Sequence, residues 1–410
     1  MKSTLLFALA ACPALLAACK STPTEPTHAA SLKPPAAIAA PPGYQAIDIG
    51  TLGGGSTEAV MVDDQGRVLG TSERPDHSMR AFMWQGGVMR ELPADAGAVS
   101  YASGPGDGFA GWLRADPGAL LVWNNADAAA VPYPVDGVAG QADGGWFVGL
   151  DDQNDFFVQA YDTFHIWALV LRSGAWQELG NLNPQDRETQ VFGVNGARAV
   201  GESLVRRDGP YDITHGFIWE DGVMRDLGQI EPVACYYSAN TDCSMSAAQD
   251  INDAGVVVGW IAAEDRGPPR AFRWENGVMT DLGVFPGEVT YAVAIDCSGR
   301  IAGYGISPAG EYHGWLWVDG AVRDLGSLGG GGTMVQDIND AGDIIGTSLT
   351  SSGERHAYVW HDGTMLDLGP GIAVSINQQS DVLVQTWEAS NPSRGILFRK
   401  LDQPAAVAAR

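Results

Sequence analysis

Along most of the chain, apolar and polar residues alternate in short runs broken by Gly, Asn and Asp. A period of two with such punctuation predicts half-buried strands joined by tight turns. The clearest unit is Ala248–Gly283. Within it, Asp250–Asn252 and Val256–Gly259 flank Asp253-Ala254-Gly255, which suits a three-residue hairpin loop with Gly in the left-handed position. Arg270–Glu275 and Val278–Leu282 flank Asn276-Gly277, a two-residue hairpin signal. One unit is therefore two hairpins, or four strands.

The unit recurs. A Trp followed by x-x-Gly stands at Trp84/Gly87, Trp219/Gly222, Trp274/Gly277, Trp317/Gly320 and Trp360/Gly363, with looser copies at Trp123, Leu171/Gly174 and Phe398. These anchors are 38 to 55 residues apart, with two consecutive steps of 43. Four strands at that period predict an all-β propeller of four-stranded antiparallel blades. The start Tyr44–Gly50 matches the fourth run of the unit, and the last unit stops after its third run at Ile396-Leu397-Phe398. Pairing the two ends completes one blade and gives eight, closed without a free edge. Seven blades plus an irregular region is the alternative, because the second and third units are degenerate. The Trp anchors are expected as interchangeable packing residues between blades.

Before the repeat, residues 1–18 carry Lys2, an apolar run from Leu5 to Leu16 and the small-residue approach Leu16-Ala17-Ala18-Cys19. This resembles the lipobox of bacterial lipoproteins and implies a signal peptide whose cleavage leaves Cys19 as the lipidated first residue. By the same resemblance, Lys20 after the cysteine directs the protein to the outer membrane or cell surface. Residues 19–43 form a Pro/Ala-rich tether, 44–400 the propeller domain and 401–410 a C-terminal tail. The membrane is expected to be met through the lipid anchor only.

Charge narrows the partners. Losing Lys2 with the leader takes 24 basic residues to 23, against 49 acidic, a formal charge near −26. Phosphate recognition needs clustered Lys and Arg, so nucleic acid is not an expected partner. A surface glycan or protein is, with the protein itself a monomer. Cys235 and Cys243 fall in one inter-blade loop, whereas Cys297 sits at a hairpin tip on the opposite face. The expected disulfide is Cys235–Cys243, leaving Cys297 as a free thiol.

The histidines open third strands, where other copies carry arginine. Register pairs them with an acid in the fourth strand as Arg80/Glu91, His215/Asp226, Arg270/Asp281, His313/Asp324 and His356/Asp367. Cross-strand ion pairs explain these better than metal ligands, since Arg is no ligand. Asp250–Gly255 and Asp337–Gly342 start like calcium loops but have Ala at the fifth position and no Glu at the twelfth. The Gly-rich runs Leu52–Gly55 and Leu328–Gly332 lack a following Lys and helix and suit the crossing between blades. No catalytic constellation, metal site or cofactor is expected.

The unit Asp-Ile-Asn-Asp-Ala-Gly, then Arg/His-Ala-aromatic-x-Trp, then Gly-x-Met-x-Asp-Leu-Gly resembles the bacterial extracellular repeat family called HAF, after a His-Ala-Phe tripeptide. Arg80-Ala81-Phe82 and His356-Ala357-Tyr358 are the nearest forms of that tripeptide here, and the resemblance covers about 44–400. It implies an exported repeat architecture and transfers no activity. The expected function is a surface-tethered binding, adhesion or protein-interaction module. The alternative is an exported carbohydrate-active hydrolase or lyase with carboxylates on the loop-rich face of the ring. On that face Asp151–Phe164 combines acids with aromatics, so Asp155, Phe156, Phe157, Tyr161 and Asp162 are the expected ligand-binding residues.

Overall fold

Among the described residues the alternating runs fold into 32 strands, β1 to β32, in eight four-stranded antiparallel sheets. In this computed structural model the described residues are 39–401 apart from 95–97, 104–108, 114–118, 124–125, 128, 136–143, 151–154, 163–164, 186–187, 209–210, 231–243, 264–267, 284, 286–288 and 389–390. β1 is Tyr44–Asp48. Blade 1 comprises β2 (Thr57–Val62), β3 (Val68–Glu73), β4 (Met79–Gln85) and β5 (Val88–Glu91). Blade 2 follows with β6 (Ala98–Ser103), β7 (Phe109–Leu113), β8 (Ala119–Trp123) and β9 (Val131–Pro134). In blade 3 the strands are β10 (Gly144–Leu150), β11 (Phe156–Tyr161), β12 (Ile166–Arg172) and β13 (Ala175–Glu178). Blade 4 has β14 (Thr189–Asn195), β15 (Arg198–Asp208), β16 (Tyr211–Glu220) and β17 (Val223–Asp226). Blade 5 has β18 (Ser244–Ile251), β19 (Val257–Ala263), β20 (Arg270–Glu275) and β21 (Val278–Asp281). Blade 6 has β22 (Val289–Ile295), β23 (Ile301–Ile306), β24 (Tyr312–Val318) and β25 (Ala321–Asp324). Blade 7 has β26 (Gly329–Ile338), β27 (Ile344–Thr350), β28 (Arg355–His361) and β29 (Thr364–Pro370). Blade 8 joins β30 (Ile372–Ile376), β31 (Val382–Glu388) and β32 (Asn391–Lys400) to β1, in the order β1-β32-β31-β30.

The ring is thus an eight-bladed propeller closed by its ends, with Ala46 opposite Phe398 and Asp48 opposite Ile396. The first strand of each blade touches the first strand of the next in an unbroken circle, β2-β6-β10-β14-β18-β22-β26-β30 and back to β2. Eight first strands therefore surround the axis. The apolar core is a ring of eight clusters, each spanning two neighbouring blades. The one across the closing seam joins Ile49, Ala59 and Phe82 to Leu383 and Leu397.

Each motif of the repeat has a local cause. In the second hairpin, Asn276, Asp319 and Asp362 take positive φ and are followed by positive-φ Gly277, Gly320 and Gly363, the type I′ geometry that matches strand twist. In the first hairpin the Asn252 side chain accepts from Val256 N–H at 3.0 Å and donates to Asp296 O of the next blade at 3.0 Å. Asn339 and Asn377 repeat this reach toward Asn377 O and Asp63 O. In Asp-Leu-Gly, the acid accepts from the glycine N–H at Gly228, Gly283, Gly326 and Gly369 at 2.7 to 2.8 Å. The leucine N–H bonds back to the third strand, as in Leu325 N–H to Gly314 O at 3.0 Å.

In six of the eight blades a glycine in the second strand faces the bulge of the first; in blades 3 and 8 Val158 and Val384 stand there. A Cβ on Gly346 would lie 2.0 Å from Met334 O, and one on Gly201 1.8 Å from Gln190 O. The third-strand aromatic of the Arg/His-Ala-aromatic motif pairs with that glycine, as Tyr358 with Gly346 and Phe272 with Gly259. The Trp anchors are not equivalent. Trp84, Trp123, Trp219 and Trp360 are buried, whereas Trp274 and Trp317 are half-buried. In blade 6 the buried indole is Trp315, which takes the place of the motif aromatic opposite Gly303.

Candidate functional site

The residues expected to bind ligand do not form one site. Phe156–Tyr161 is strand β11, not a loop, because its side chains are needed on both faces of blade 3. Asp155 and Asp162 bracket that strand at opposite faces of the ring, about 23 Å apart at the usual rise per residue. Asp155 is 4% exposed and accepts from Arg172 Nε. The Arg172 guanidinium lies over the Trp219 ring at 5.6 Å, and Phe157, fully buried, meets the same ring edge-on at 5.9 Å. Phe156 packs edge-on against Phe147 at 6.5 Å. Asp162 accepts from His165 N–H at 2.7 Å and pins the turn into β12. Tyr161 alone of the set shows a large exposed surface, at 38%.

In blade 4, β15 and β16 extend past the level of the other second and third strands, pairing from Leu204 opposite Thr214 to Asp208 opposite Tyr211. Cys19, Cys235 and Cys243 lie outside the described residues. Cys297 is an exposed free thiol, and the Asp340 carboxylate beside it raises its pKa. Four of the five expected cross-strand pairs form: Arg80–Glu91 at 3.6 Å, His215–Asp226 at 2.8 Å, Arg270–Asp281 at 2.6 Å and His356–Asp367 at 2.8 Å; in blade 6 His313 lies 4.0 Å from Glu311, and Asp324 accepts from Gly326 N–H. Among the described residues, no group of three or more His, Cys, Asp or Glu could hold a metal ion.

A different place gathers unused chemistry. On the loop-rich face, a cleft of about 320 Å³ lies over blade 7 and its seam with blade 8, lined among others by Tyr312, Met334, Gln336, Thr347, Leu349, Arg355 and Ile372. That volume is at the lower end of small-molecule sites. Tyr312 and Met334 are 37% and 41% exposed. Within the described residues, the hydroxyls of Tyr312 and Thr347, the Gln336 amide and the Arg355 guanidinium have no protein partner. Tyr312 also ends a row of rings. Trp260 meets Tyr291 at 6.1 Å, Tyr291 meets Tyr304 at 5.4 Å and Tyr304 meets Tyr312 at 5.9 Å. Burial, then the neighbouring phenols, push the Tyr291 and Tyr304 hydroxyls above their usual pKa, which keeps them neutral donors.

One register position explains why the cleft is open. The second-strand residue just after the bulge-facing glycine, or its counterpart, reaches the next blade. In blade 3 it is Gln159, whose amide accepts from Val191 N–H at 3.1 Å and donates to Thr189 O at 2.9 Å. In blade 8 it is Gln385, bonded to Ala59 N–H at 2.8 Å and Thr57 O at 3.0 Å. Blade 7 has Thr347, too short to span the gap, and the space is left beside Ile372 and Ala373. The first-strand partners at this level are Ala247, Tyr291, Met334 and Ile372 in blades 5 to 8, against Glu58 and Gln190 in blades 1 and 4. Variation at one repeat position was the available sequence signal.

A second layer, nearer the hairpin face, brings Asp250 and Asp337 onto the first strands just after the bulge. Asp250 accepts from Ile251 N–H and from Ile295 N–H of blade 6, both at 2.8 Å, and Asp337 from Ile338 N–H at 2.8 Å. Loss of solvent raises Asp250 to about 6. Asp337, which also feels the Asp250 charge, is raised to about 7. Ser375 does the same bridging in blade 8, accepting from Val62 N–H at 3.2 Å. Asp250 and Ser375 are thus inter-blade acceptors, whereas Asp337 accepts from its own strand.

No family model and no curated protein sequence matches the chain. Solved structures do match in fold. The β-propeller domain of the trilobed protease from Pyrococcus furiosus has a TM-score of 0.50 at 11% identity, covering 77% of this chain and 98% of that domain. That domain is described as having an open velcro topology, whereas here β1 pairs with β32. A structure from a study of two prolyl endopeptidases has a TM-score of 0.53 at 11% identity, covering 87% of this chain and 56% of that one. This chain therefore spans little more than half of that peptidase's length, and the likeness at such identities is one of fold.

Proposed function

We propose that the protein is an exported, lipid-tethered repeat lipoprotein of the HAF type whose propeller binds a surface glycan through the cleft over blades 7 and 8. The observation that carries this reading is the set of four partnerless polar side chains, Tyr312, Gln336, Thr347 and Arg355, around an apolar wall of Met334, Leu349 and Ile372. The repeat commits many of its other polar groups to itself, in cross-strand ion pairs, Asn staples and buried Thr/Ser pairs such as Thr333 with Ser348 at 3.0 Å. A pyranose has an apolar C–H face and a rim of hydroxyls. Half-exposed rings and unpaired donors and acceptors complement both.

Titration of wild-type protein with a panel of neutral and acidic oligosaccharides, followed by calorimetry, tests this. Binding is expected, and Tyr312→Ala should weaken it about tenfold at unchanged melting temperature, in line with the worth of one aromatic face. If no oligosaccharide binds, or the variant binds like the wild type, the cleft is not a glycan site. New reducing ends in the same mixtures would instead make the protein a carbohydrate-active hydrolase or lyase. For the tether, Cys19→Ser should move the protein from the membrane to the soluble fraction, because the acyl chains supply the attachment.

A further inference from the structure

We propose that the cleft selects an acidic sugar, a hexuronate whose carboxylate is held by Arg355; this rests on the glycan reading above. The chain has about two acids for every base, with 49 Asp and Glu to 24 Lys and Arg. In that setting a guanidinium normally finds a carboxylate, as Arg74 does with Glu91, Arg172 with Asp155 and Arg394 with Asp48. Arg355 has none, although the next residue along is an acid. The Glu354 carboxylate is turned away, accepting from Ser352 Oγ at 3.2 Å and lying 3.9 Å from His356. Arg355 is exposed and lines the cleft, and Tyr312 opens from the aromatic row into the same cleft. A planar fork of donors fits a carboxylate in bidentate fashion.

Charge around the mouth sharpens the class. Glu311 folds over Gly331, where an added Cβ would lie 3.1 Å from its Oε1, and Glu354 directly precedes Arg355 in the chain. A ligand dense in sulfate or phosphate meets repulsion from both, and from the net charge of −25. A ring bearing a single carboxylate satisfies Arg355 and offsets that repulsion with its stacking face. A small anion without the ring has nothing to offset it.

The test compares a galacturonate oligomer, its methyl ester and a neutral cello-oligomer of equal length against wild type, Arg355→Met and Arg355→Lys. The free acid is expected to bind about tenfold more tightly than the ester, as a charge-assisted bidentate pair should. Arg355→Met should remove that preference while leaving the ester affinity and melting temperature unchanged, and Arg355→Lys should restore only part of it. Equal binding of acid and ester, or an unaffected Arg355→Met, overturns the acid preference but leaves the glycan site standing. Displacement of the oligomer by acetate alone at millimolar concentration also overturns it, since that marks a general anion site. Failure of every sugar to bind overturns the glycan reading and this inference together.

Discussion

The seam between blades 3 and 4 and the seam between blades 7 and 8 use one repeat position to opposite ends. At the first, Gln159 ties two backbone groups of β14 and closes the gap at that level. At the second, Thr347 falls short, and a cleft with four unsatisfied polar side chains remains. Blade 3 is a degenerate copy, blade 7 one of the most regular. The lesson is that departure from a repeat marks where packing had to be re-solved, while an opening can arise inside a perfect copy from one shortened side chain. Polar atoms left without partners locate a site better than irregularity does.

The comparison is most severely tested at Phe157, which blade 3 buries against Trp219. Phe157→Ala is expected to destabilise by about 3–5 kcal/mol, by lost transfer energy and the cavity left behind. Chemical denaturation measures it, and affinity per folded molecule should not change. A stable Phe157→Ala variant that had lost ligand would return the site to blade 3. Tyr312→Ala is the counterpart, neutral for stability and costly for binding.

The blade count and the closing pair were legible in the sequence because they depend on the backbone, and turns such as Asn276-Gly277 or Asp362-Gly363 leave little choice of geometry. Four of the five third-strand ion pairs were legible too, since a two-residue turn fixes the register that brings Arg270 to Asp281. The cleft was not. Tyr291, Tyr304, Met334 and Gln336 sit in strands with the same alternation as their core neighbours, and pattern does not tell which faces meet a partner. Asp155 to Asp162 misled for the converse reason. Acids flanking Phe-Phe-Val resemble a loop with stacking residues, yet here they cap the two ends of a buried strand.

A single substitution should convert one seam into the other. Thr347→Gln places an amide where Gln159 and Gln385 have theirs, within reach of the Ala373 N–H and Gly371 C=O that hold the equivalent positions in blade 8. Two new inter-blade hydrogen bonds should add about 1–2 kcal/mol to stability, and the side chain should fill the cleft and abolish glycan binding. Higher melting temperature with lost binding is the signature. If binding survives while stability rises, the ligand lies elsewhere; if stability falls, the seams are not equivalent.

The smallest effect belongs to the layer beneath, where Asp250 and Asp337 face each other past blade 6. An acid whose folded pKa is raised binds its proton more tightly in the folded state than in the unfolded one. The stability tied to protonated Asp337 is therefore full below the ordinary value of 3.8 and is lost as pH rises through about 7. Asp250, raised to about 6, acts in the same direction and adds its charge to the Asp337 site. Asp337→Asn keeps an oxygen to accept from Ile338 N–H and removes the titration. With the first strands part-exposed along the axis, water screens the pair, so the variant should gain about 1 kcal/mol at pH 8, roughly 2 °C in melting temperature. The gain should shrink through neutral pH and vanish by about pH 4, where the wild-type group is itself protonated. A gain constant from pH 4 to 8 would mean that packing, not ionisation, separates the two proteins. A loss at pH 8 would mean that the carboxylate is stabilised by its neighbours and that the seam depends on its charge.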